Sequence, residues 1–239
     1  MISMQNIEYP YMPEGHHLKY ASVDDPFMQE ASRAREECAG DPLYPVGIVL
    51  VKDGEVVARA GNGYNRGPGE IHVCPRVVLD CPSGTGYDLC TLHDAPGHSE
   101  QMLVAEAKKQ GIDLEGADAY MYGHWWACEP CWTALLEAGI RDLYVTDDAH
   151  ERFSRDNVFA QTLTPSIKTV SLEGFEGELL EEIQQEVRTL GLQVVDQDAD
   201  AHCVYTVEGA QCLLAGEPVY TVEQTEDLVK HLRNVLKQL

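Results

Sequence analysis

Basic residues are scarce in this chain. Its 239 residues include 17 lysines and arginines against 40 aspartates and glutamates, a net charge of -23. The deficit runs the whole length: residues 1–164 carry -14 and residues 165–239 carry -9. A chain this acidic, with no basic stripe, repels a phosphate backbone, which argues against a long nucleic-acid partner. A small anionic substrate remains open, because a few local arginines suffice to hold it. Also missing is any apolar run approaching the roughly 20 residues of a membrane span. The start, MISMQNIEYPYMPEGHHLKY, lacks a basic segment leading into an apolar one, so no signal or transit peptide is expected. There is no internal repeat and no low-complexity segment. The expectation is a soluble cytoplasmic protein, and 44% hydrophobic residues are enough for a sizeable core.

Cysteine, by contrast, is plentiful. The eight are Cys38, Cys74, Cys81, Cys90, Cys128, Cys131, Cys203 and Cys212. In a chain of this length with no secretory start, clustered cysteines point to metal rather than disulfides. Five of the eight lie between positions 74 and 131, where His72, His93, His98 and His124 also fall.

The pattern of elements is that of an α/β fold. Residues 1–22 read as an extended arm rich in tyrosine and proline. Asp25-Pro26 gives a helix its cap and first residue. Phe27, Ala31, Ala34 and Cys38 share one face of that helix, which makes Cys38 a core residue. Pro45 to Lys52 reads as a buried strand, Asp53-Gly54 as a hairpin turn and Glu55 to Gly61 as the returning strand. A glycine- and cysteine-rich loop, Asn62 to Gly97, is too long to be an idle connection. Then follow a helix ending near Gly111, a strand over Ala117–Tyr122, a helix over Cys128–Ala138 closed by Gly139, and a strand over Arg141–Thr146. This order predicts an α/β layer fold with a mixed sheet over 23–160. A small α+β unit is expected over 165–239. It has a strand at Ile167–Leu172, an acidic helix at Glu176–Leu190, and two or three strands between Leu192 and Tyr220. Its last helix is signalled by Thr221 and Gln224 at capping-box spacing, with an apolar face of Leu228, Val229, Leu232, Val235, Leu236 and Leu239.

The chemistry concentrates in two short stretches. GHSEQMLVAEA, Gly97 to Ala107, opens an otherwise apolar helix with His98 and Glu100. Such groups are costly at the mouth of a buried helix unless something holds them. ACEPCW places Cys128 and Cys131 at i and i+3 of another helix start, where exposed N–H groups favour thiolates. One histidine and two thiolates around Zn²⁺ leave a fourth position open for water, as catalytic zinc requires. Glu100 is then free to carry that water's proton.

H-x-E followed by C-x-x-C at this separation resembles the signature of the zinc-dependent nucleobase deaminases. The resemblance covers roughly residues 24 to 148, by motif and by element order. It is closest to the deoxycytidylate deaminases, through Gly63-Tyr64-Asn65, the cysteine-rich insertion HVCPRVVLDCPSGTGYDLCTLHDAPGHSE and Ala138-Gly139-Ile140. The resemblance implies a cytidine deaminase-like three-layer α/β fold with a central mixed sheet, and hydrolytic deamination at C4 of a cytosine ring, most simply dCMP to dUMP. His98, Cys128 and Cys131 then hold the catalytic zinc, Glu100 shuttles protons to N3 and to the leaving ammonia, and Asn65 helps hold the nucleotide. A homo-oligomer is implied as well. Four departures from the family pattern stand out: Ser99 in place of alanine, Ala127 in place of proline, Arg66 in place of glycine, and the aromatic run His124-Trp125-Trp126. Arg66 is either a phosphate contact or a solvated loop arginine. Trp125 and Trp126 either stack on a base or pack in a core or interface.

The insertion carries its own ligand set. Cys74, Cys81, Cys90 and His93 follow the spacing C-x6-C-x8-C-x2-H, which suits a closed structural zinc. His72 is a rival fourth ligand, and a disulfide or free thiols are the alternatives. Arg76 reads as a loop salt bridge or a phosphate contact. His202, Cys203 and Cys212 read as packing residues in strands.

Overall fold

A computed structural model describes residues 7–63, 72–82, 84–90 and 92–239. The chain begins with β1 (Lys19–Ala21), α1 (Pro26–Cys38), β2 (Gly47–Lys52), β3 (Glu55–Gly61) and α2 (Pro75–Val78). It continues with α3 (Ser99–Lys109), β4 (Asp118–Tyr122), α4 (Glu129–Glu137), β5 (Asp142–Thr146), α5 (Ala149–Arg152) and α6 (Arg155–Thr162). The last elements are β6 (Thr169–Glu173), α7 (Gly177–Thr189), β7 (Gln193–Val194), β8 (Ala201–Thr206), β9 (Gly209–Leu214), β10 (Glu217–Glu223) and α8 (Leu228–Leu236). They separate into two units. One takes in Met1–Glu70 and Ser83–Thr162, the other Ile71–Pro82 and Leu163–Leu239. The second unit therefore includes a segment of the cysteine-rich insertion as well as the C-terminal residues.

The first unit is built on a five-stranded mixed sheet in the order β1-β5-β4-β2-β3. β2 pairs antiparallel with β3 and β4, while β5 pairs parallel with β4 and β1. The arm read from the sequence as merely extended thus supplies the edge strand β1. The continuous apolar run of β2 is explained by burial on both faces. Ile48 and Leu50 enter one core with Leu103, Met121, Leu135 and Leu143, whereas Val49 and Val51 enter a second core with Met28, Ala31 and Ala34 of α1. Fully burying each such aliphatic side chain contributes about 1.5–3 kcal/mol. α1 lies on one face, and α3 and α4 on the other. This is the α/β architecture expected from the sequence: a central mixed sheet between helical layers.

Local chemistry sets the boundaries. The Asp25 carboxylate accepts from the amides of Phe27 (2.9 Å) and Met28 (3.2 Å), capping α1 ahead of Pro26. Asp53 and Gly54, with φ of 52° and 81°, form the tight turn between β2 and β3. Half-buried Cys38 packs beside the second core.

The second unit has its own sheet, β10-β9-β8-β6-β7, with β6 parallel to β7 and β8 and the rest antiparallel. Four strands, rather than two or three, follow α7. The sequence reading missed one because the turns at Val207-Glu208 and Ala215-Gly216 are short. Cys203 and Cys212 face each other in this core, Sγ to Sγ 3.6 Å. His202 Nδ1 lies 2.7 Å from Ser171 Oγ. The last helix begins later than its capping spacing implied. Thr221 is in β10, and Asp227 occupies the N-cap of α8. The strand pairing of Thr221 with Gln211 overrides the local signal. The expected apolar face of α8 does form, with Leu228, Leu232, Val235 and Leu236 buried. Val73 and Val78, flanking and ending α2, join the same core, and the Cys74 amide donates to Gln238 Oε1 (2.7 Å).

Two glycines let α1 approach the sheet. Gly47 and Gly61 are paired across β2 and β3. A Cβ on Gly47 would sit 2.0 Å from the Arg35 amide nitrogen and 2.4 Å from the Ala31 carbonyl oxygen. One on Gly61 would sit 2.3 Å from the Ala39 nitrogen. These obstacles are helix backbone, which does not move aside. Gly47→Ala is expected to lower stability by about 1–3 kcal/mol in a denaturant titration. An unchanged midpoint would show that α1 does not bear on the sheet as closely as this.

Candidate metal centre

Two helix N-termini build the site. His98 and Cys128 are the N-cap residues of α3 and α4, both extended in backbone conformation (φ -71°, ψ 148° and φ -73°, ψ 166°). Cys131 sits in the first turn of α4 and is buried. The topology explains why they meet. α3 leads into β4 and α4 into β5, and these strands are parallel. Both helices therefore start at the same end of the sheet.

His98 Nδ1 lies 3.4 Å from Cys128 Sγ and 3.4 Å from Cys131 Sγ. The other ring nitrogen, Nε2, turns away and donates to the His93 carbonyl at 3.1 Å. That bond fixes the tautomer and leaves Nδ1 facing the two sulfurs, as a metal-bound imidazole requires. The three ligand atoms lie within 4.8 Å of one another. Histidine with two thiolates suits Zn²⁺ and leaves a coordination position open.

The electrostatics match this reading. The Cys128 thiol is pulled down to about 4, first because Cys131 hydrogen-bonds to it and further by the His98 ring, against the opposing effect of burial. Cys131 is pushed up, chiefly as the donor of that pair and then by burial. Burial acts to lower the pKa of His98, but Cys128 and Glu100 outweigh it and raise the net value. Glu100 is 5% exposed, and burial raises its pKa above the usual carboxylate range. Ser99 Oγ donates to Glu100 Oε2 at 2.9 Å. The serine that replaces the family's alanine thus has a specific partner.

Tyr87 packs edge-on against His98, with ring centroids 5.0 Å apart. Trp125 is half-buried among Tyr9 (5.8 Å), Trp126 (6.0 Å) and His150 (4.6 Å). Trp126 is 4% exposed, and its indole N–H finds no hydrogen-bond partner among the described residues. Asn65 and Arg66, expected to contact substrate, lie outside the described residues.

The insertion's expected ligands are divided between the units. Cys90 and His93 belong to the first, Cys74 and Cys81 to the second, with His72. In the first unit, Cys90 Sγ is 3.1 Å from His93 Nδ1, and His93 Nε2 is 2.6 Å from the fully buried Asp41 carboxylate. Arg76 lies in α2 of the second unit. Sequence reasoning missed Asp41 altogether. Its setting, GDPLY, is indistinguishable from that of an acid on a solvated turn, so no local signal was available.

A histidine, two cysteines and an adjacent buried acid form a zinc-binding cluster consistent with the active site of a zinc-dependent deaminase. Residues 21–147 match the model of the cytidine and deoxycytidylate deaminase zinc-binding region, and the chain belongs to that family. It is 30% identical over 122 residues to the chloroplastic tRNA(adenine(34)) deaminase of Arabidopsis thaliana. That match covers 51% of this chain and 7% of the relative, so the chain spans a small fraction of the curated relative's length. Among solved structures, it is 17% identical to the apo dCMP deaminase of cyanophage S-TIM5, covering 72% of this chain and 94% of that one at a TM-score of 0.32. Against the guanine deaminase of Bacillus subtilis the identity is 18%, the coverage 70% and 92%, and the TM-score 0.33.

The unequal thiols give a direct test. In protein stripped of metal, iodoacetamide at pH 6 is expected to label Cys128 well before Cys131, as read by peptide mass spectrometry. Zinc is expected to protect both. Equal labelling of the two in the stripped protein would contradict the arrangement.

Proposed function

We propose that this chain is a hydrolase that deaminates a cytosine nucleotide, converting dCMP and water to dUMP and ammonia. The observation that carries the reading is the convergence of His98, Cys128 and Cys131 with buried Glu100 beside them. When bound, zinc supplies Lewis-acid activation of a water molecule. The chain's residues do the rest. Glu100 is not needed as a ligand and works as the proton carrier, taking one proton from the water oxygen to ring N3, then the second from the resulting hydroxyl to the departing amine. Ser99 holds one of the Glu100 carboxylate oxygens in place. Asn65 and Arg66 are assigned to the nucleotide from the family resemblance, Arg66 to its phosphate. The acidity of the chain favours a small substrate over a polynucleotide, and among the described residues no helix is long and apolar enough to cross a membrane. By family analogy the protein is a homo-oligomer.

A second reading keeps the chemistry and changes the ring. The aromatic run His124-Trp125-Trp126 departs from the family pattern, and the buried Trp126 indole N–H has no partner among the described residues. A heterocycle with an acceptor at that point would satisfy it. Ammonia release from dCMP, CMP, deoxycytidine, cytidine, dCTP and guanine separates the two readings. Activity is expected on dCMP, and Glu100→Gln is expected to retain zinc while losing at least about a hundredfold in rate. Activity confined to guanine would select the second reading. Undiminished activity in Glu100→Gln would remove the mechanism.

A further inference from the structure

A buried carboxylate outside the reacting groups is connected to the zinc ligand His98. Asp41, between α1 and β2, is 1% exposed. Its two oxygens have separate partners. Oδ1 accepts from the amides of Leu43 (2.8 Å) and Tyr44 (3.1 Å), closing the loop that carries it. Oδ2 takes His93 Nε2 at 2.6 Å and, more weakly, Asn62 Nδ2 at 3.3 Å. Asn62 is itself anchored, accepting from the Val46 amide (2.9 Å) and donating to the Tyr44 carbonyl (2.9 Å). The carboxylate is thus bolted to the rim of the central sheet, with one oxygen aimed at an imidazole in the insertion.

His93 carries the connection onward. Its side chain is held by Asp41 and its backbone carbonyl receives the Nε2–H of His98 at 3.1 Å. Between them the chain makes one tight turn: the Gly97 amide donates to the Asp94 carbonyl (3.0 Å) and the His98 amide to the Ala95 carbonyl (3.0 Å). The Gly97 carbonyl is tied to the end of β3 by the Gly63 amide (2.8 Å). A carbonyl that fixes the tautomer of a metal-binding imidazole sets which nitrogen faces the metal. We infer that Asp41 is a positioning residue for the zinc ligand His98, acting through His93. The inference rests on the zinc-site reading above and adds a residue that takes no part in the chemistry.

The division of labour between the two oxygens makes the idea testable. Asp41→Asn keeps an oxygen for the loop amides and replaces the acceptor facing His93 with an N–H₂ donor. Zinc transfer to a chromogenic chelator is followed in the full-length, zinc-loaded protein. The phase absent from Cys128→Ser reports the site at His98. That phase is expected to run at least about tenfold faster in Asp41→Asn, the lower end of what partners of metal ligands control. Leu114→Ala, which loosens the core of the same unit ahead of β4, at the end of the sheet away from Val46, is expected to leave it unchanged. If Asp41→Asn does not fold, His93→Ala carries the test. Its imidazole ¹⁵N spectrum is expected to show at least about tenfold faster exchange of the His98 Nε2 proton. An unmoved phase, or slow exchange retained in His93→Ala, would overturn the positioning role. An equal acceleration by Leu114→Ala would reduce it to general stability. If the unmodified protein showed no phase that Cys128→Ser removes, the zinc site itself would fall, and the inference with it.

Discussion

The meeting of two helix N-termini at one end of the sheet is the constraint on which the rest of the structure depends. Three candidate ligand atoms from positions 98, 128 and 131 lie within 4.8 Å of one another. Only a parallel pair of strands, each preceded by a helix on the same face, brings the two starts together without a long detour. The cores on either side of β2 hold those strands in register. The exposed amides of a helix start favour thiolate there. Fold and electrostatics therefore select the same corner for a cationic metal with thiolate ligands.

The corner is also shielded. Glu100 and Cys131 are buried, and Tyr87 lies against the His98 ring. In a dry setting an acid keeps its proton more readily and a charge is felt more strongly. Both effects suit the proton-carrying role proposed for Glu100. The buried Asp41 shows the other use of a carboxylate in the same unit. It is satisfied on both oxygens and held by four donors, so it serves as a fixed post rather than a carrier.

The two carboxylates also differ in how easily they are found. Glu100 is legible because it stands two residues from a histidine at the start of an apolar helix, and a second motif 28 residues on explains both. Asp41 has no such neighbour in the sequence. Its partner His93 lies beyond two strands and a long insertion, and only folding brings them to 2.6 Å. The Ser99 hydroxyl is similar: its small size is visible in the sequence, its bond to Glu100 is not. The misplaced cap of the last helix shows the reverse error. Thr221 and Gln224 have the spacing of a capping box, but strand pairing claims Thr221 first.

What the sequence determined by itself was whatever is written in short-range periodicity and in fixed motif spacing. The two-sided strand at Gly47–Lys52, the capped helix at Pro26, the hairpin at Asp53-Gly54 and the ligand set His98, Cys128 and Cys131 belong to this class, because the interactions that specify them span a few residues or a recurrent motif. The tertiary structure decided what depends on groups far apart in the chain. It made the N-terminal arm an edge strand, drew Pro75–Val78 into the core of the C-terminal unit, and set Asp41 behind His93. Long-range contacts carry no local pattern, since any of many residues could have filled those places until the sheet fixed which ones meet.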